Sequence, residues 1–116
     1  MESEGMRLLQ GTLDLLVLNA LKGGVSHGYA VASWIRNVTD DRLRIEDGAL
    51  YTALHRMEKR GWLDAEWGVT DSNRRARFYR LTAAGRKQLR HDARTWMAYA
   101  EAVFAALRAT HVVPAA

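Results

Sequence analysis

The chain has 116 residues, of which 48% are apolar and 26% charged, with no cysteine and a formal net charge of +4. That size and balance fit one globular domain with one long appended element, and exclude a disulfide framework, a thiolate metal site and a thiol nucleophile. No apolar run approaches the roughly 18 residues of a membrane span, and Met1 to Gly5 carries Glu2 and Glu4 where a secretory signal is basic, so no membrane association and a cytoplasmic location are expected. The charge is unevenly spread. Residues 1–73 hold eight Lys/Arg against eleven Asp/Glu, residues 74–94 hold eight against Asp92 alone, and Arg108 and Glu101 cancel in the remainder. A block this lopsided points to a polyanion partner, with a solvated helix face as the plain alternative.

Thr12 to Leu21 has the spacing of a buried helical face, through Leu13, Leu16, Val17, Ala20 and Leu21, and Lys22-Gly23-Gly24 ends it. Ser26 stands where an N-cap belongs, ahead of a second helix over His27 to Val38. Asp40 and Asp41 fall in a turn. A third helix is expected from about Glu46 to Arg60, with Leu50, Leu54 and Met57 on its inner side and Gly61 as its stop.

Past Gly61 the period changes to two. Leu63, Ala65, Trp67 and Val69 alternate with Asp64, Glu66 and Gly68, which predicts a half-buried strand. Thr70-Asp71-Ser72-Asn73 is turn chemistry, and Arg75 to Leu81 reads as the return strand. Thr82 caps a last helix running to about Arg108, on the order of 40 Å long at 1.5 Å per residue. The small tail around Pro114 is expected to fray. The fold class is therefore mainly α with a two-stranded β wing. It divides into a winged helix-turn-helix DNA-binding unit over residues 8–81 and a C-terminal dimerisation helix over residues 82–109.

Leu89, Ala93, Trp96, Ala100, Val103 and Leu107 recur at spacings of four and three, an a/d seam over almost three heptads. Such a seam needs a partner helix. The same helix of a second copy supplies one in a two-fold homodimer, while folding back over its own three-helix body is the alternative. Trp96, with Ala93 and Ala100 beside it, either fills a packed interface or lines a cavity.

A recognition helix needs one apolar face and short polar or cationic groups on the other. Here Gly48, Tyr51, Thr52, His55 and Lys59 lie opposite the apolar side of the third helix. Hydroxyl and cationic donors suit phosphates, and a glycine near the helix start lets backbone amides approach DNA. Tyr51 serves either a phosphate contact or packing against the hairpin, and Arg56 either a phosphate or a carboxylate. Asn73, Arg74, Arg75 and Arg77 lie at or beside the hairpin tip, suited to phosphates or a narrow minor groove; with Arg80 the hairpin carries four cations. His27 is a further phosphate candidate or an ordinary surface histidine.

Catalysis has little support. The four histidines are scattered, without a metal-ligand pair or nucleophile elbow, so no catalytic residue, metal or cofactor is expected. A winged-helix module binding RNA or protein, without transcriptional repression, is the alternative reading.

Gly48 to Trp62, as G-A-L-Y-T-A-L-H-R-M-E-K-R-G-W, resembles the signature of PadR-family transcriptional regulators. Gln10-Gly11-Thr12-Leu13-Asp14, His27-Gly28-Tyr29 and Tyr79 to Gly85 resemble its other landmarks, over about residues 8–108. The resemblance implies a homodimeric repressor of a palindromic operator in double-stranded DNA, with Tyr51 at the DNA interface. The short form with one C-terminal helix is similar to the subgroup that includes a lactococcal multidrug-responsive repressor. By that likeness Trp96 lines a flat pore between subunits for a small planar hydrophobic effector. Thr52 departs from the proline of many relatives, and Met97, Tyr99 and Ala100 give such a pore its own lining.

Overall fold

The computed structural model describes residues 11–115; the first residues of the expected DNA-binding unit, Gln10 and the acidic start lie outside the described residues. The elements run α1 (Thr12–Ala20), β1 (Ser26–His27), α2 (Gly28–Val38), α3 (Asp47–Lys59), β2 (Leu63–Val69), β3 (Arg75–Leu81) and α4 (Ala83–Arg108). Leu21–Gly23 tighten into a 3-10 turn behind α1. This is a winged helix-turn-helix with a long C-terminal helix.

Two details differ from the sequence expectation around Ser26. The sheet has three antiparallel strands in the order β1-β3-β2, because Ser26 and His27 pair with Tyr79 and Phe78. The N-cap of α2 is accordingly His27 and not Ser26: the His27 Nδ1 accepts from the backbone N–H of Ala30 at 3.3 Å. The imidazole also meets the Phe78 ring edge-on, 5.3 Å between centroids. A side chain held by a cap and an aromatic neighbour is a structural joint between α2 and the wing.

Beyond α2, Thr39 Oγ1 donates to the Ile35 carbonyl at 2.8 Å and accepts from Leu43 N–H, turning the chain. Asp40 and Asp41 both take left-handed φ values, 52° and 63°. Asp41 is pinned there by Arg44 and Arg36, whose guanidinium groups hold its carboxyl below the usual aspartate range. Glu46 and Arg60 are the two caps of α3, one residue outside the helix at each end. Gly61, at φ 82°, carries the chain out of the helix in a conformation that disfavours any side chain.

One core unites the elements. Val17 and Leu18 from α1, Leu21 from the 3-10 turn, Val31 and Ile35 from α2, and Leu50, Ala53, Leu54 and Met57 from α3 are at most 1% exposed. Leu63, Tyr79 and Leu81 close it from the sheet, and Leu89 from α4. Each such aliphatic side chain contributes about 1.5–3 kcal/mol on leaving water.

The start of α4 is fixed by a local lock. Thr82 N–H donates to the Trp62 carbonyl at 3.0 Å. Thr82 Oγ1 donates to the Gly61 carbonyl at 2.6 Å and accepts from Gly85 N–H at 3.0 Å. Gly85 must be glycine: a Cβ there would stand 2.0 Å from the Trp62 carbonyl oxygen. The first turns of α4 thus lie on the body, beside α1 and β3. The rest projects. The radius of gyration is 17.2 Å, against about 13 Å for a compact chain of this length.

Candidate DNA interface

Leu50, Ala53, Leu54 and Met57 bury one side of α3, so helical periodicity turns Gly48, Tyr51, Thr52, His55 and Lys59 outward, and all five are exposed. Nothing lies within 4 Å of the position a Cβ would take at Gly48, which leaves the backbone near the helix start open to a partner. Tyr51 is half-exposed. Its ring edge lies against Gly28 at the start of α2, where an added Cβ would come within 2.9 Å of the Tyr51 Cε1. The ring is therefore braced from behind while its outer edge faces solvent.

Arg56 forms an ion pair with Asp14 of α1. Between the two partners left open by the sequence, the structure favours the carboxylate. The pair clamps α1 to α3 and takes Arg56 out of the exposed cationic row.

β2 and β3 extend beyond the body in register from Leu63 opposite Leu81 to Val69 opposite Arg75. Burial fades along the hairpin: Leu63 is buried, Ala65 half-buried, Trp67 exposed at 56%. The expected half-buried strand holds only at its base, and its outer half faces an open groove. At the tip Thr70 N–H donates to the Arg74 carbonyl, and Asn73 takes φ 64° with its N–H on the Thr70 carbonyl. Thr70 Oγ1 accepts from Arg74 N–H at 3.1 Å. Asn is among the residues that tolerate this left-handed position.

The four hairpin arginines separate into two kinds. Arg74 and Arg75 are exposed and make no ion pair with any described residue. Arg75 lies 4.6 Å over the Trp67 ring, which stiffens its stem without neutralising it. Arg77, in contrast, is not at the free tip. Its guanidinium donates to Glu58 Oε2 of α3 at 2.7 Å, which holds it firmly in the charged form. Arg80 faces Asp64 at 3.5 Å on the adjacent strand. Burial raises the Tyr79 hydroxyl above its ordinary pKa, so it stands neutral beside Arg77. Sequence alone gave no site role to Trp67, Glu58 or Asp14; their roles follow only once the wing and α1 are brought against α3.

Ser26, Gly28, Tyr51, Trp67, Arg74 and Arg75 line one open groove between the helices and the wing. A second, shallower depression follows the outer side of α3 along Tyr51, Thr52, His55 and Lys59. The two meet at Tyr51.

On α4, Leu89 is only 6% exposed and belongs to the chain's own core, so the first expected seam position packs inward. Ala93 and Ala100 are half-buried. Trp96 is 39% and Leu107 76% exposed, with Val103, Met97, Tyr99 and Phe104 exposed around them. The proximal part of the helix thus folds onto the body, as the alternative reading held, while the distal part leaves an apolar face uncovered.

Among the described residues, no helix is long and apolar enough to cross a membrane, and no three His, Asp or Glu side chains gather as a metal site would require.

The three helices, wing and outward face of α3 define a winged-helix protein of the DNA-binding class. The family model of the PadR-like transcriptional regulators matches residues 17–91, and the chain belongs to that family. The chain is similar to a transcriptional regulator of Clostridium thermocellum, with a TM-score of 0.73 and 30% identity, over 81% of this chain and 91% of that one. It is also similar to a PadR-family regulator of Eggerthella lenta, with a TM-score of 0.70 and 31% identity, over 87% and 86% of the two chains. Among curated proteins, it is 47% identical to a transcriptional regulator of Mycobacterium tuberculosis over 51 residues, which spans 44% of this chain and 47% of that protein.

Proposed function

We propose that this PadR-family regulator is a homodimeric repressor that binds a palindromic operator through α3 and the wing. The observation that carries the reading is the juxtaposition of an exposed polar face, Gly48, Tyr51, Thr52, His55 and Lys59, with two unpaired wing arginines, Arg74 and Arg75. The α3 side chains suit base edges and phosphates of a major groove, and the wing suits the neighbouring backbone or minor groove. Asn73 sets the turn that presents both arginines.

Dimerisation is supported by the uncovered distal face of α4, from Ala93 and Trp96 through Ala100 and Val103 to Leu107. Monomeric proteins rarely expose so continuous an apolar surface, and a second copy of the same helix complements it. Trp96 between two alanines supports a site there for a small planar hydrophobic effector that releases the operator. Quenching of tryptophan fluorescence by such a compound, abolished in Trp96→Ala, tests that part; absence of quenching by planar cations refutes it.

The repressor reading is tested by nuclease footprinting on the duplex upstream of the protein's own gene. Two protected half-sites about one helical turn apart are expected for a two-fold dimer. No protection at low salt refutes the reading.

A further inference from the structure

The α4 helix carries a second cationic surface that the α3–wing reading does not use. Lys87, Arg90, His91 and Arg94 follow the i, i+3, i+4, i+7 pattern, so they share one face over about 10 Å of helix. It is the face opposite Gly85 and Leu89, which point into the body. All four side chains are exposed, and none forms an ion pair with a described residue. The one acidic residue of this stretch, Asp92, instead accepts from Gln88 at 2.9 Å. A helix that only needed solubility would gain from mixed charges at these spacings; this one keeps a single sign.

The stripe is not isolated. Together with Trp62 at the foot of the wing it lines a groove. The guanidinium of Arg60 lies over the Trp62 ring, 5.2 Å from its centroid. Arg60 in turn lines the depression along α3 with Thr52, His55 and Lys59. The Arg60–Trp62 contact thus marks a path between the depression along α3 and the groove lined by Lys87, Arg90 and Arg94.

We propose that this path is an extension of the DNA footprint, in which Lys87, Arg90 and Arg94 contact backbone phosphates flanking the segment held by α3. The proposal rests on the DNA-binding reading above. Contacts of this kind add affinity and salt dependence, not sequence preference.

The test uses the full chain, wild type and Lys87→Ala/Arg90→Ala/Arg94→Ala, with two labelled duplexes. One is trimmed to the footprinted centre and the other is extended by roughly one helical turn on each side. All three positions are exposed on a helix and alanine favours helix, so the variant is expected to keep its circular dichroism spectrum. Wild type is expected to bind the longer duplex more tightly and with a steeper salt slope. In the variant that advantage disappears. Because each protomer then touches three fewer phosphates, six for the bound dimer, the affinity drop between 50 and 200 mM salt is smaller by roughly two-thousand-fold, from a slope of about 0.9 per phosphate. Affinity for the trimmed duplex and preference over a scrambled one are retained. A variant that keeps the wild-type advantage on the longer duplex overturns the extension and leaves the α3 reading standing. A wild type that binds neither duplex overturns the α3 reading and the extension with it.

Discussion

Arg77 of the wing donates to Glu58 of α3 across 2.7 Å, so the hairpin is tied to the helix it flanks. The second carboxylate oxygen of Glu58 is buried without a hydrogen-bond partner, which makes Arg77 its main compensation. Arg77→Ala is expected to lower the thermal midpoint and to weaken DNA binding as the wing loses its fixed angle. Arg77→Lys is expected to restore part of the loss, because a single donor reaches Glu58 and an ammonium keeps the charge. In a thermodynamic cycle with Glu58→Ala, the double variant loses less stability than the two single losses combined. Simple additivity would place the pair outside the wing's support.

Gly85→Ala separates helix propensity from packing. In an exposed helix interior, alanine stabilises by about 1 kcal/mol over glycine. Here the new Cβ meets a backbone carbonyl at 2.0 Å, which cannot rotate away. Urea denaturation is expected to show a loss of about 1–3 kcal/mol, typical of overpacking. A gain in stability would mean that α4 is not seated on Trp62.

Leu89 and Leu107 lie on one face of α4 but divide between two roles. Leu89→Ala is expected to cost about 2–5 kcal/mol of folding stability, as for other buried leucines. Leu107→Glu leaves folding largely intact and shifts the sedimentation coefficient towards the monomer. A monomeric wild type under the same conditions would remove the basis for reading the distal face as a dimer surface.

Arg74→Ala/Arg75→Ala is expected to weaken upstream and random duplexes about equally. It should reduce the salt slope by about one for each arginine that touches a phosphate. Fluorescence anisotropy at several salt concentrations measures both. A loss confined to the upstream duplex would instead make these arginines readers of sequence or groove width.

The helices were legible because each buries one face, and their spacing in sequence records it; Leu50, Leu54 and Met57 define the inner side of α3 on their own. The hairpin was legible from its period of two, but not where its burial ends, since Trp67 has the same alternation as Ala65 and differs only in what lies beneath it. β1 is two residues long and leaves no period, so Ser26 looked like a cap when His27 held that place. Arg77 looked like a free cation, and Arg56 stayed open between a phosphate and a carboxylate, because their partners Glu58 and Asp14 lie on other elements, separated from them by 19 and 42 positions in sequence. Leu89 fitted the heptad seam as well as Leu107 does. Only its neighbours in the fold distinguish core from exposed surface.

On the proposed reading, the outward face of α3 reads DNA sequence. The direct measurement is anisotropy titration of the upstream duplex and a scrambled duplex with wild type and with Thr52→Ala/His55→Ala. Wild type is expected to favour the upstream duplex by roughly a thousand-fold or more. The variant should lose about 1–3 kcal/mol of that discrimination for each base no longer read, while its affinity for the scrambled duplex changes little. Equal binding of both duplexes by wild type, or undiminished discrimination by the variant, would contradict it.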